Sequence, residues 1–174
     1  MLETITLGGG CFWCLEAVFQ RVLGVSSVAS GYMGGSVQRP EYSQVCQGTT
    51  GHAEVVQIQF DPSQIALSDL LDVFFVIHDP TTLNRQGYDV GTQYRSAIFA
   101  HTPEQEDAAR VKIAQLATKY PAPIATTLTL ATDFWPAEPE HHDYYNRHPV
   151  QSYCVAVVEP KLQKFLRHFA EKAK

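Results

Sequence analysis

Leu2-Glu3-Thr4-Ile5-Thr6-Leu7-Gly8-Gly9-Gly10-Cys11-Phe12-Trp13-Cys14-Leu15 sets how the chain must begin to fold. Leu2 to Leu7 is a short β-prone run, and three glycines stop it. From Phe12 to Leu23, the residues Leu15, Val18, Phe19, Val22 and Leu23 recur at helical spacing. A strand is therefore predicted to feed a helix through a glycine turn, with Cys11 at the helix N-terminus. Working outward, Val25 to Ser30 alternates as a second strand, ended by Gly31 and Gly34-Gly35. Ser36 to Gly51 is polar, contains Pro40 and reads as a long loop. Glu54 to Phe60 is a strand with Glu54, Val56, Ile58 and Phe60 on one face and Val55, Gln57 and Gln59 on the other.

Ser68 is the expected cap of a second helix with Leu70, Leu71, Phe74 and Ile77 on its apolar face, stopped by Asp79-Pro80. A second long loop covers Thr81 to Gln93, and Arg95 to Ala100 is a strand. Thr102-Pro103-Glu104-Gln105 has the pattern of a capping box with proline at the first helical position, opening a helix to about Tyr120. Ile124 to Ala131 reads as a strand and Glu138 to Arg147 as a short polar helix. Pro160 opens a last helix faced by Leu162, Phe165, Leu166 and Phe169. The first six elements run β-α-β-β-α-β, so the predicted fold is α+β: a two-layer ferredoxin-like sandwich with an additional C-terminal strand and helices, as one catalytic domain over residues 1–174.

Composition excludes several classes of function. The net charge of −5 and the absence of any basic run argue against nucleic acid or an anionic membrane as the partner. With 45% apolar and 18% charged residues the chain is globular and not disordered. No apolar stretch approaches the ~20 residues that span a bilayer, and Met1 to Thr4 lacks a signal-peptide pattern, so a cytoplasmic location is expected. Four cysteines are too sparse for a disulfide scaffold, so each needs a chemical or packing reason.

Cys11 has the clearest one. The glycines allow a sharp turn and close approach of a substrate, and the helix N-terminus favours an anion there, which should lower the thiol pKa. Cys14 lies one turn on, an arrangement used by thiol-disulfide oxidoreductases, and core packing is its plainer reading. A structural zinc site would need a second Cys-x-x-Cys pair. Cys46 and Cys154 stand alone, however, and His141 and His142 are adjacent in sequence, so no metal is expected. Glu54, at the rim of an apolar strand face, should have a raised pKa and stay protonated near neutrality, unless it is an ordinary exposed charge at a strand end. Tyr42 and Tyr94 lie in the two long loops and offer phenol donors. Phe12 and Trp13, beside the thiol, suit a pocket wall.

Taken together, Gly9 to Trp13, Gly31-Tyr32-Met33-Gly34-Gly35, Pro40-Glu41-Tyr42, Gly51-His52-Ala53-Glu54, Asp89 to Ser96, and Ala137 to His142 with Asp143-Tyr144-Tyr145 resemble the methionine sulfoxide reductase A family. The resemblance covers the chain from about Thr4 to Cys154. It implies an enzyme reducing the S epimer of methionine sulfoxide, free or in proteins, with thioredoxin (or dithiothreitol) as reductant and no bound cofactor. Cys11 would be the nucleophile and Glu54 the proton donor, helped by Tyr42 and Tyr94. Asp89 would organise the site, and Phe12 and Trp13 would hold the S-methyl group. Ser152-Tyr153-Cys154 resembles the family's first tail cysteine, which makes Cys154 the expected resolving thiol and Cys14 the alternative. A monomer is expected. The competing functions are general disulfide exchange through Cys11 and Cys14, which would not need Glu54, and a binder of methionine-rich segments without turnover.

Overall fold

Alternating apolar residues at both ends of the chain's first hundred residues converge on one sheet. The computed structural model describes residues 1–174, in the order β1 (Glu3–Gly8), α1 (Phe12–Phe19), β2 (Val25–Met33), α2 (Tyr42–Cys46), β3 (Ala53–Phe60), α3 (Leu67–Ile77), β4 (Arg85–Gln86), β5 (Asp89–Val90), β6 (Ala97–Ala100), α4 (Pro103–Ala117), β7 (Thr127–Leu130), β8 (Trp135–Pro136), α5 (Tyr144–Arg147) and α6 (Glu159–His168). Six strands form one sheet in the order β7-β6-β1-β3-β2-β8, and β4 and β5 form a small separate hairpin. The inner four strands, β6-β1-β3-β2, carry the predicted β-α-β-β-α-β topology with every neighbour antiparallel. Ile5 lies opposite Ile58, and Leu7 opposite Ile98. The C-terminal addition includes two strands: β7 extends the sheet in parallel beside β6, and β8 closes the other edge beside β2.

The sheet faces differ. Val56, Ile58 and Phe60 of β3 join Ile5 and Leu7, the α1 residues Phe12, Leu15, Val18 and Phe19, the α3 residues Leu70, Leu71 and Phe74, and Leu162 and Phe165 of α6 in the main core. Val55 and Ala53 point the other way, into a small cluster with Met33, Ala97 and Phe99. Each large apolar side chain fully withdrawn from water contributes roughly 1.5–3 kcal/mol, so the helical face dominates the stabilisation. Glu54 shares the face of Val56 and is itself buried to 0% exposure.

Several boundaries differ from expectation. Helix α1 stops at Phe19, and Val22 and Leu23 lie in the following turn and bridge. Strand β2 runs on through Gly31 to Met33, because Gly31 permits close passage of the edge segment: a Cβ there would meet Phe134 and the Trp135 carbonyl at 2.5 Å. Ala66, not Ser68, is the N-cap of α3, so Ser68 sits inside the first turn. The loop from Ser36 to Gly51 contains α2, and the loop from Thr81 to Gln93 contains the β4–β5 hairpin. Thr102 caps α4 by accepting from the Gln105 N–H at 3.1 Å, but the Gln105 side chain accepts from His101 N–H instead of returning to Thr102. Residues 138–147 form a short 3₁₀ turn followed by α5 in place of one helix, and a π-helical turn, Cys154–Val158, precedes α6. No helix is long and apolar enough to cross a membrane.

Candidate active site

Cys11 is the N-cap of α1, with extended backbone (ψ 132°), and is only 6% exposed. Gly10 makes the turn into it at φ +85°, a region open to glycine, and its N–H donates to the Tyr94 carbonyl at 3.1 Å. The helix-start position was expected to lower the thiol pKa. The opposite holds: burial pushes Cys11 well above its ordinary value, and the neighbouring Glu54 carboxyl and Cys14 add to this. The Trp13 backbone N–H favours the thiolate but is outweighed. Desolvating a full charge costs more than one helix turn returns. Cys11 is thus a thiol at rest.

Glu54 reaches from β3 to the same point. Its Oε1 accepts from the Phe12 N–H at 3.1 Å, while Oε2 is buried without any hydrogen-bond partner. Burial raises the carboxyl to about 8, against the pull of the Phe12 N–H and with a further upward push from Asp89. At neutral pH the carboxyl therefore holds its proton, and one of its oxygens is buried and unpaired. The rings of Tyr42 and Tyr94 are half-buried around it. Burial raises both phenols far above their ordinary value, with Glu54 the next cause. They remain donors throughout the physiological range. Tyr42 is fixed through its backbone N–H, which donates to Glu138 at 2.9 Å, and the other Glu138 oxygen accepts from the Tyr32 hydroxyl. Cys46 is exposed at the end of α2 and faces the Tyr42 and Tyr94 hydroxyls.

The aromatic wall is larger than Phe12 and Trp13 alone. Phe12 is fully buried, and Trp13 is half-buried, stacked on Tyr144 at 3.8 Å and 6°. Trp13 Nε1 donates to His141 Nδ1 at 3.3 Å, and the His141 ring lies 4.2 Å from Tyr42 and 5.5 Å from Phe12. His141 and Tyr144 were visible only as part of a recognisable segment; no periodicity in that stretch indicates what it packs against. Glu138, Glu140 and His141 place possible metal-ligand atoms within 4.8 Å of one another. Both Glu138 oxygens and His141 Nδ1 are already engaged by Tyr32, Tyr42 and Trp13.

Behind Cys11 lies a second space of about 310 Å³, lined by Cys11, Cys14, Gln86, Asp89, Tyr153 and Lys161 among others. Asp89 enters it from the β4–β5 hairpin and accepts from the Tyr153 hydroxyl. Asp89 thus lies behind Cys11 and bears on Glu54 through its charge. Cys14 is 2% exposed, and its N–H donates to the Cys11 carbonyl at 3.1 Å. Cys154 is fully buried in the π-helical turn, its N–H held by the Gln151 side chain at 3.1 Å, and does not line the space. All four cysteines are free thiols.

These elements have counterparts in known proteins. The family model for peptide methionine sulfoxide reductase matches residues 3–174. A peptide methionine sulfoxide reductase MsrA of Ralstonia nicotianae is 54% identical over 98% of this chain and 93% of its own. Among solved structures, Mxr1 from Saccharomyces cerevisiae in reduced form superposes with a TM-score of 0.84 at 36% identity, covering 88% of this chain and 89% of that one. Mxr1 in complex with Trx2 gives a TM-score of 0.60 at 28% identity over 82% and 84%. Sequence match and fold agree, and the chain belongs to the peptide methionine sulfoxide reductase family, as an oxidoreductase of the A type.

Proposed function

We propose that this single catalytic domain, residues 1–174, reduces the S epimer of methionine sulfoxide, free and in proteins, with Cys11 as nucleophile and Glu54 as proton donor. The observation that carries the reading is the Glu54 carboxyl: buried beside Cys11, protonated near neutrality, one oxygen tied to Phe12 N–H and the other unpaired. A sulfoxide oxygen is a poor leaving group until protonated, and it is the kind of acceptor the free Glu54 O–H lacks. Tyr42 and Tyr94 donate to the same oxygen, and Phe12 and Trp13 hold the methyl group. As the proton moves from Glu54 to oxygen, positive charge grows on the substrate sulfur. That charge supplies the stabilisation that the buried Cys11 thiolate otherwise misses. Attack forms the bond between the two sulfurs. Collapse with water leaves a sulfenic acid on Cys11 and releases the thioether.

A second thiol then displaces the sulfenic oxygen as water, and thioredoxin reduces the disulfide by exchange. The Mxr1–Trx2 complex supports thioredoxin as the reductant. The tail motif favours Cys154 as the resolving thiol; we favour Cys14 instead, because it lines one cavity together with Cys11 and Cys154 does not. We place the enzyme in the cytoplasm as a monomer without bound cofactor, where four free thiols persist. General disulfide exchange leaves Glu54 without a task, and a binder would leave Cys11 without one.

The test is single turnover with separated sulfoxide epimers and no reductant. One equivalent of methionine should appear from the S epimer and none from the R epimer. Equal yields would remove the proposed two-point hold of methyl and oxygen.

A further inference from the structure

The space behind Cys11 contains a lysine that forms no ion pair, although Asp89 lines the same space. Lys161, in the first turn of α6, lines the cavity that also touches Cys11 and Cys14. The residue is half-buried, and its ammonium donates to the Ile77 carbonyl at 3.0 Å. It takes part in none of the chain's ion pairs, which join Arg110 to Glu106 and Asp107, Lys112 to Asp72, and Lys172 to Asp69. Lys161 and Gln86 also line an adjoining open groove of about 770 Å³ between the end of α3 and α6, so they form the partition between the buried thiols and the outside. A lysine with no ion-pair partner, on the lining of a cavity shared with two buried thiols, is placed to favour an anion that forms there in the working cycle.

We propose that Lys161 is a positioning residue for disulfide closure: its ammonium stabilises Cys14 as a thiolate beside the oxidised Cys11. This rests on the reading of Cys14 as the resolving thiol. Cys14 sulfur attacks the sulfur of the Cys11 sulfenic acid, the S–S bond forms and the S–O bond breaks. The departing hydroxide and the proton given up by Cys14 leave together as water. No outside oxidant is consumed, because the Cys11 sulfur was already oxidised by the sulfoxide. The groups facing Cys14 are Lys161 from α6, Asp89 from β5, Tyr153 and Cys154 from the segment before α6, and Cys11 across the first turn of α1. Burial pushes the Cys14 thiol up to about 12, and of these neighbours Lys161 pulls it back the most.

Single turnover resolves the two steps, with methionine release reporting the sulfenic acid and loss of free thiols reporting closure. Lys161→Met should slow closure about three- to tenfold at neutral pH and move its pH inflection upward. The thiolate fraction falls with the rising pKa, while the greater nucleophilicity of the more basic sulfur recovers part of the rate. Lys161→Arg should restore both, which a mere packing role for the stem would not. The methionine burst in each variant reports that the fold is intact, and Lys161→Gln serves if the methionine variant does not fold. Closure at the wild-type rate and inflection without the ammonium overturns the proposal. A Cys14→Ser variant that closes a disulfide as fast as wild type overturns instead the reading on which it rests.

Discussion

The two sides of Cys11 are built for opposite charges. On the Phe12 side, Glu54 is buried without a cation, so its carboxyl keeps a proton and offers it through an unpaired oxygen. On the Cys14 side, Lys161 brings a cation without a carboxylate partner, and the acidic neighbour Asp89 is occupied by Tyr153. On the proposed reading, one side delivers a proton and the other holds an anion. A single nucleophile between them can therefore be oxidised on one face and resolved on the other, with neither step borrowing the other's group. The difference also shows that helix-start geometry alone does not activate this thiol, since burial sets its direction.

The largest effect should come from the atom the two sides share. Cys11→Ser should abolish methionine formation with any reductant, because an alcohol is a far weaker nucleophile near neutral pH. Activity beyond a trace in that variant would break the comparison at its centre.

Glu54→Gln tests the proton-delivering side. The single-turnover rate should fall by about 10²–10⁴-fold, the typical loss for a general acid, while the isosteric amide still accepts from Phe12 N–H. In the wild type the burst rate should decline as pH rises through about 8, where Glu54 loses its proton. A rate near wild type in the amide variant, or a flat profile across that pH, would make Glu54 a bystander.

Cys14→Ser and Cys154→Ser sharpen the contrast on the other side. With one equivalent of sulfoxide and no reductant, the first should release methionine and stop at the sulfenic acid. The second should close a disulfide that maps to Cys11 and Cys14 by mass spectrometry. The reverse outcome would return the resolving role to Cys154.

The smallest effect is on stability. The Glu54 carboxyl is raised to about 8 in the fold, above its value in the unfolded chain. Between the two values the native state keeps a proton that the unfolded state has released. Wild-type stability should therefore fall with rising pH in that window, by at most about 1.4 kcal/mol per pH unit from this group. Glu54→Gln should flatten the decline, read as the urea midpoint at several pH values between 5 and 9. An identical pH dependence in both proteins would mean the carboxyl is not buried in its neutral form.

The local signals carried far in this chain. Periods of 2 and 3.6 were enough for the β-α-β-β-α-β order, and the alternation of Glu54 with Val56, Ile58 and Phe60 turned one carboxyl toward the core. Three glycines before a helical pattern put Cys11 at a helix start. Boundaries such as the end of α1 at Phe19 and the cap of α3 at Ala66 were missed because turns and packing outweigh propensity there.

What the sequence by itself determined is therefore the fold order, the helix-start position of Cys11 and the face on which Glu54 stands, since these follow from spacing within single elements. Only the tertiary structure decided the rest. His141 and Tyr144 come to Trp13, and Tyr153 and Lys161 come to Cys14, from a C-terminal third whose irregular stretches carry no period to read. The direction of the Cys11 pKa was likewise hidden, because a thiol's ionisation depends on how much water and charge the whole fold leaves around it, and no stretch of neighbouring residues fixes that.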